Sequence, residues 1–515
     1  MSGTFNSFTR KNHSMKKFLT IMWILIIIGA VFIAIQLTKP DTTEYVEPPE
    51  EVPKEEMEKP EEPEPEEPDE VDIFETEGME EEDILTYTEY LNLGDKQRKE
   101  GNLNEAMENY ENAARLNPNS TTALINLGYT ALLANDPIKA QEAFLKAEKL
   151  SPDSLDVQIG LARSYLNQRN IEAAKALTWE LDSSEYIVKY YTAIILILHK
   201  DFEGAKNLFE ELAEAPTERA VENEETKPIN PILKEKAQNF LDAYTRFLYF
   251  KEGEIIFLQT MLAKAMTNVG EYEAAIPLLY DVINQKNNYK DAWIVLGYAY
   301  LNSEKILDAI DALTQAKALD EEKPETLFFL GLAYYANNDI DKAIFYLEEA
   351  EKNGYEPKDE IELRLADLYL LKEKYSQAAV KYEEILKLNT NNLEIFIRAI
   401  WLNIDKLNNS QKALVLANKA LETHPEDPMS YNLVGWALTS AKKYDQAKSY
   451  LAKALKMDPL FDAAHLNLGW LYEKKGMDTL AKEHYKKAYY FGSGNSIAIL
   501  AAKRYNNIQI NIQKP

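Results

Sequence analysis

The chain has 515 residues, 46% of them hydrophobic, no cysteine and a formal net charge of −28. That length allows more than one ordinary domain and that composition a large buried core. The lack of thiols excludes disulfides, thiolate metal sites, a cysteine nucleophile and a lipid-modified cysteine, and an acidic balance without a visible basic stripe argues against nucleic-acid binding.

Charge is unevenly spread along the chain. Residues 1–39 carry +5, residues 40–83 carry −20, and the remaining 432 residues carry only −13. Residues 1–17 form a basic tail with Arg10, Lys11, Lys16 and Lys17. Residues 18–37 (FLTIMWILIIIGAVFIAIQL) have no charge, and only Thr20 and Gln36 are clearly polar. At about 1.5 Å per residue this stretch spans about 30 Å, the hydrocarbon core of a bilayer. A helix is the structure that satisfies its backbone there. A cleaved signal peptide has a shorter apolar region, of about 7–15 residues, ending in small residues. Here the run continues into Ile33-Ala34-Ile35-Gln36-Leu37, a poor cleavage site. The segment is therefore read as an uncleaved, single-pass membrane anchor. Four basic residues precede it and Lys39 follows it, which predicts a cytoplasmic N-terminus and an extracytoplasmic remainder.

Residues 38–83 read as a disordered acidic linker. From 47 to 70 they are mostly Glu and Pro. Proline removes donors and disfavours helix, like charges extend the chain, and too little apolar surface remains to offset ordering entropy. Such a stretch serves as a spacer across an envelope layer or as a generic solvated tether.

From residue 84 onward the chain repeats itself. Ala123-Leu-Ile-Asn-Leu-Gly-Tyr129 recurs as Ala292-Trp-Ile-Val-Leu-Gly-Tyr298, Thr326-Leu-Phe-Phe-Leu-Gly-Leu332 and Ala464-His-Leu-Asn-Leu-Gly-Trp470. Each is followed about twelve residues later by an Ala in a helical pattern, at 140, 309, 343 and 481, and prolines such as Pro118, Pro152, Pro425 and Pro459 close units. This pattern resembles the tetratricopeptide repeat, a unit of about 34 residues. Units start near 87, 121, 155, 290, 324, 359, 394, 428 and 462, with weaker ones near 186 and 256.

The resemblance implies an all-α fold: a right-handed superhelical solenoid of antiparallel helix pairs. Small residues such as Gly128, Ala140 and Ala147 let the paired backbones approach, and Leu124, Leu127 and Phe144 fill the space to the next pair. One unit cannot bury its own apolar face, so neighbours stack. The unit near 394 departs from the pattern, with Trp401 where a small residue is usual and Ala417 where a large one is usual. A volume-conserving exchange would place Trp401 in the core. Residues 217–255 break the phase, with an amphipathic helix at 231–251. The expected organisation is therefore a first repeat block at 84–216, an irregular insertion at 217–255, a second block at 256–490, and a capping helix and tail at 491–515.

No catalytic constellation is visible. The histidines are His13, His199, His424, His465 and His484, of which His465 and His484 share a unit; both read as structural. No phosphate loop, metal-ligand spacing or strand pattern is present in the sequence, so no cofactor, metal or enzymatic activity is expected.

In tetratricopeptide proteins the first helix of each unit lines a concave groove. Transferred position by position, the resemblance implies groove residues Asn126, Tyr129 and Arg163 in the first block. Farther along it implies Phe328, Phe329, Tyr335, Arg364, Asp367, Arg398, Asn432, Trp436, Asn467 and Trp470. Trp436 and Trp470 each lie a few residues after an Asn, one unit apart, a pattern suited to an extended peptide. The complete basic set of the family's clamp for C-terminal carboxylates is not present. The expected function is a non-catalytic, membrane-anchored scaffold whose partners are proteins or extended peptides, with residues 18–37 in the bilayer. Two alternatives stay open: the same array facing the cytoplasm as a recruitment platform, and an accessory subunit that binds glycans or associates with a glycosyltransferase.

Overall fold

The computed structural model describes residues 85–217, 228–250 and 254–512. The tail, membrane segment and acidic linker read at 1–17, 18–37 and 38–83 lie outside the described residues. Among the described residues no helix is long and apolar enough to cross a membrane. They form twenty-four α-helices and one π-helix, without strands. Contacts group them into two compact units, one ending at Tyr355 and the other beginning at Glu356.

In the first unit the pairs are α1 (Tyr87–Glu100) with α2 (Leu103–Leu116), α3 (Thr121–Leu133) with α4 (Pro137–Leu150), and α5 (Leu155–Asn167) with α6 (Ile171–Glu180). Then come α7 (Tyr186–Leu198) with α8 (Phe202–Glu214), the single helix α9 (Pro231–Phe250), and α10 (Ile255–Asn268) with α11 (Tyr272–Gln285). The last pairs are α12 (Lys290–Asn302) with α13 (Ile306–Leu319) and α14 (Pro324–Ala336) with α15 (Ile340–Lys352). The second unit holds α16 (Lys358–Leu371) with α17 (Tyr375–Leu388), and α18 (Leu393–Trp401) with α19 (Ser410–Thr423). It continues with α20 (Pro428–Ser440) and α21 (Tyr444–Met457), α22 (Asp462–Lys474) and α23 (Asp478–Phe491), and ends in α24 (Ser496–Ile512). Observed first-helix starts lie within a residue of the starts read from the repeat pattern.

Local chemistry sets the ends of these helices. Thr86 and Glu89 form a reciprocal capping box at α1. Asp136 accepts from the Lys139 N–H, with Pro137 pre-set for the first turn of α4. The turns inside pairs bend through a left-handed residue, Gly101 or Gly270 in some and Asn135, Arg169 or Lys200 in others.

Packing explains the small residues of the repeat. Phe144 is fully buried between α3 and α5. A Cβ on Gly128 would fall 2.6 Å from its ring, and one on Gly160 only 2.3 Å away. Any side chain at either position would push this ring out of its place.

The phase break does not interrupt the core. Helix α9 packs on α8 and α10, and its Phe240 stacks on Phe209 with centroids 4.2 Å apart. Tyr244 donates to the Phe202 carbonyl at 2.7 Å. One apolar cluster runs from Ile159 through Leu233, Ala237 and Phe240 to Leu330.

In the second unit, Trp401 corrects an expectation. It is half-buried rather than a core residue, and the Lys406 ammonium lies 5.8 Å over its ring. Its place in the repeat is the close-approach position held by Gly435 and Gly469, where an added Cβ already falls 2.5 Å from Leu451 or 2.6 Å from Tyr485. In this repeat the facing position holds Ala417, fully buried, in place of Leu451 or Tyr485, and the helix widens into a π-turn at Leu402–Lys406 directly after Trp401. The final helix α24 buries Ala498, Ala501, Ala502 and Tyr505 and packs on α22 and α23.

Candidate peptide-binding faces

The residues picked from the repeat pattern fall into two different environments. In the first unit, Tyr129 sits edge-on to Phe144 at 5.1 Å and donates to the Asp156 carbonyl at 2.9 Å. The Arg163 guanidinium lies 5.6 Å over the Tyr129 ring. Asn126 is half-buried on the same helix face.

This face is already occupied by the chain itself. Helix α11 packs against α5 and α7 as well as its own neighbours α10 and α12. Consequently α7 is buried almost all round, with Tyr190, Ile194, Ile195 and Ile197 fully covered. The start of α11 brings two carboxylates with it, Glu271 at 6% and Glu273 at 5% exposure. Glu273 accepts from Arg169 Nε at 2.9 Å and from Lys305 Nζ at 2.6 Å. Glu271 lies 3.7 Å from the Lys236 ammonium. Tyr191 and then Glu271 hold the Arg163 pKa above its ordinary value. Burial, followed by Glu271, pushes Tyr190 well up. Lys200 pairs with Asp281 at 3.0 Å, and Asn135 Nδ2 donates to the Ser303 carbonyl at 2.6 Å. Arg163 is thus held over the chain's own Tyr129 ring, in the field of Tyr191 and Glu271. The repeat pattern missed this closure, although α7 carries a signal: Ala193-Ile-Ile-Leu-Ile-Leu198 leaves no polar residue for an open face.

Farther on, Phe328 also departs from the expected groove. It is 1% exposed and stacks on Tyr355 at 4.0 Å, so it packs the core. Phe329 lies half-buried, its ring 5.0 Å from Tyr298, and Tyr335 is half-buried on α14.

The second unit arranges its face differently. Arg364 is 9% exposed. Asp367 accepts from the Tyr382 hydroxyl at 2.9 Å and lies 3.4 Å from Arg398. Burial pushes the Asp367 carboxyl above its usual range, and Arg398 opposes that shift. Arg398 also bonds Glu394 at 3.1 Å. Asn467 Nδ2 donates to Asn432 Oδ1 at 2.9 Å, and both residues are buried at 8% and 2% exposure. These asparagines therefore bond each other across neighbouring first helices instead of standing free for a peptide. Trp436 and Trp470 remain half-buried at equivalent places on α20 and α22. Lys474 and Arg504 flank the Trp470 ring at 5.9 and 5.8 Å, and Arg504 reaches Glu473 at 3.5 Å. Among the described residues, α24 packs on α22 and brings Arg504 to the Trp470 ring, while Trp436 and Trp470 both stay partly exposed.

His465 and His484 meet on the same unit, Nδ1 to Nδ1 at 3.0 Å, with His465 Nε2 3.2 Å from the Pro459 carbonyl. Donation to that carbonyl leaves His465 Nδ1 as acceptor and His484 Nδ1 as donor. Burial lowers both pKa values, that of His484 to about 4.

Comparison with known proteins follows the same repeats. The family described as TPR repeat matches residues 94–132, and the family described as tetratricopeptide repeat matches residues 294–359, 328–392 and 435–496. Among curated relatives, the anaphase-promoting complex subunit CDC16 of Saccharomyces cerevisiae is 23% identical over 341 residues, covering 64% of this chain and 39% of that protein. The peroxisomal targeting signal receptor of Candida albicans is 25% identical over 236 residues, covering 42% of this chain and 38% of that receptor. The chain therefore spans about two-fifths of the length of these relatives. Among solved structures, the Cut9–Hcn1 hetero-tetramer aligns over 82% of this chain and 96% of the matched chain, at 14% identity and a TM-score of 0.30. Helix pairing, repeat phase and these family matches together identify residues 94–132, 294–392 and 435–496 as tetratricopeptide repeats.

Proposed function

We propose that this protein is a non-catalytic scaffold that holds protein partners by an extended segment laid across the first helices of its second unit. The observation that carries this reading is the pair Trp436 and Trp470, one repeat apart on neighbouring first helices and both partly exposed. Two indoles spaced by one repeat supply contact area at low entropy cost, and the Asn432–Asn467 bond keeps the helices beneath them in register. Similarity to a targeting-signal receptor and to subunits of a large assembly supports the same class of role. A photo-reactive residue placed at Trp436 tests it in intact cells. Discrete cross-linked adducts that disappear with Trp470→Ala support the site; an adduct pattern unchanged by that substitution overturns it.

We further propose that residues 18–37 anchor the chain in a membrane with the repeats on the extracytoplasmic side. This rests on the uncharged twenty-residue run and its basic N-terminal flank. Protease added to intact cells or spheroplasts removes a C-terminal tag if the repeats face outward. A tag that survives until lysis reverses the orientation and makes the array a cytoplasmic recruitment platform.

A further inference from the structure

Charge in this chain is strongly partitioned. Residues 444–512 carry 10 Lys and Arg against 6 Asp and Glu, a net +4 in a chain of −28. These residues build α21 to α24, which pack consecutively. Lys448, Lys453, Lys456, Lys474 and Lys503 are exposed on them.

Aromatic rings are interleaved with these cations. Lys448 lies 5.9 Å over Tyr472. Lys482 and Lys486 lie 5.5 and 5.6 Å over Tyr505. Such contacts hold long, flexible ammonium stems in place and lower the entropy cost of using them for binding. The field of this face also reaches its neighbours: Lys487 acts to lower both His465 and His484, and Lys448 to lower His484.

We propose that this lysine-rich face of α21–α24 is a docking surface for the acidic segment 40–83 of the same chain. Charge complementarity points to that occupant, since the segment carries 22 acidic residues against two lysines. Its 44 residues can extend up to about 150 Å, and tethering raises its effective concentration to the order of millimolar. Each exposed carboxylate–ammonium pair contributes little, so docking requires many pairs at once and is reversible. At about 1 M salt the screening length shrinks to about 3 Å and the segment is released.

Carbodiimide joins carboxylates directly to lysine amines and gives the test on the full, detergent-solubilised chain. An equal mixture of ¹⁵N-labelled and unlabelled protein is cross-linked at low salt and at 1 M salt, and the links are mapped by mass spectrometry. The expected links run within one isotope, from Glu61, Glu64 or their neighbours to Lys448, Lys453, Lys482 and Lys486, and fall at least fivefold at 1 M salt. Three results overturn the proposal: links equally frequent to first-unit lysines such as Lys96, Lys146 and Lys317; a majority of mixed-isotope links, which assign the segment to a second copy; and anionic vesicles sedimenting the protein through this face in the absence of such links. A Lys448→Gln, Lys453→Gln, Lys482→Gln, Lys486→Gln variant should lose the salt-dependent compaction seen by X-ray scattering. The matching Lys→Arg variant should keep it, and unchanged melting of both separates loss of docking from loss of fold.

Discussion

The first-helix faces of the two units derive from the same repeat positions and have opposite fates. In the first unit α11 covers α5 and α7, and the Arg163 guanidinium lies over the Tyr129 ring. In the second unit Trp436 and Trp470 stay partly exposed on α20 and α22, with Arg504 of α24 beside Trp470. A face becomes a binding site or a seam according to what the rest of the chain brings to it, and residue type alone does not decide which. Arginine and tyrosine look equally suited to a groove in both places.

The comparison can be broken most forcefully at α9. Phe240→Ala removes a fully buried ring stacked on Phe209 and should cost about 3–5 kcal/mol. The midpoint of urea unfolding measures this. A loss below about 1 kcal/mol would mean that α9 is an appendage and that the first unit is not one continuous core. Next in size, Trp436→Ala with Trp470→Ala should weaken partner capture by about 2 kcal/mol or more, roughly thirtyfold, with little change in melting temperature. Arg163→Ala should leave capture unchanged; equal losses in both variants would erase the distinction between the faces.

The closure itself is sharpened by Glu273→Gln. Removing the charge that Arg169 and Lys305 share should cost about 1–3 kcal/mol, because the site is buried on the carboxylate side only. A double-mutant cycle with Arg169→Gln should show coupling between the two; strict additivity would sever the contact that ties α6's leading turn to α11. The smallest effect concerns pH. The folded pKa of His484 is lowered to about 4, against about 6.5 when unfolded, so the unfolded chain binds the proton first as pH falls. This contribution is fully present above about pH 6.5 and is lost progressively toward pH 4, on the order of 1 kcal/mol given partial exposure. Urea midpoints at pH 7.5 and 5.5 should differ less in His484→Gln than in the parent.

Much of this was legible in the sequence. The Leu-Gly-aromatic segments at 127–129, 296–298 and 468–470 fix where first helices begin, because glycine is needed wherever a second-helix ring or leucine presses on the first. The amphipathic run starting at Pro231 marks α9, and the expected capping helix within 491–515 is α24. The site was less legible. Phe328 occupies a groove position by count yet turns onto Tyr355, and Asn432 and Asn467 satisfy each other. Position within a repeat fixes the face of a helix, whereas rotamer and partner depend on neighbours distant in sequence.

By itself the sequence determined the all-helical repeat architecture, its phase, the capping of its helices and the separation of a strongly acidic stretch from a basic C-terminal end. These follow from local spacing, backbone preference and composition, which need no knowledge of distant contacts. Tertiary structure alone decided that α11 would close the first unit's face, that Trp401 would be only half-buried and that two indoles would stay partly exposed. Contacts such as Asn135 with Ser303 or Arg169 with Glu273 join residues more than a hundred positions apart. No periodicity encodes them, since they depend on how rotations between successive helix pairs add up along the array.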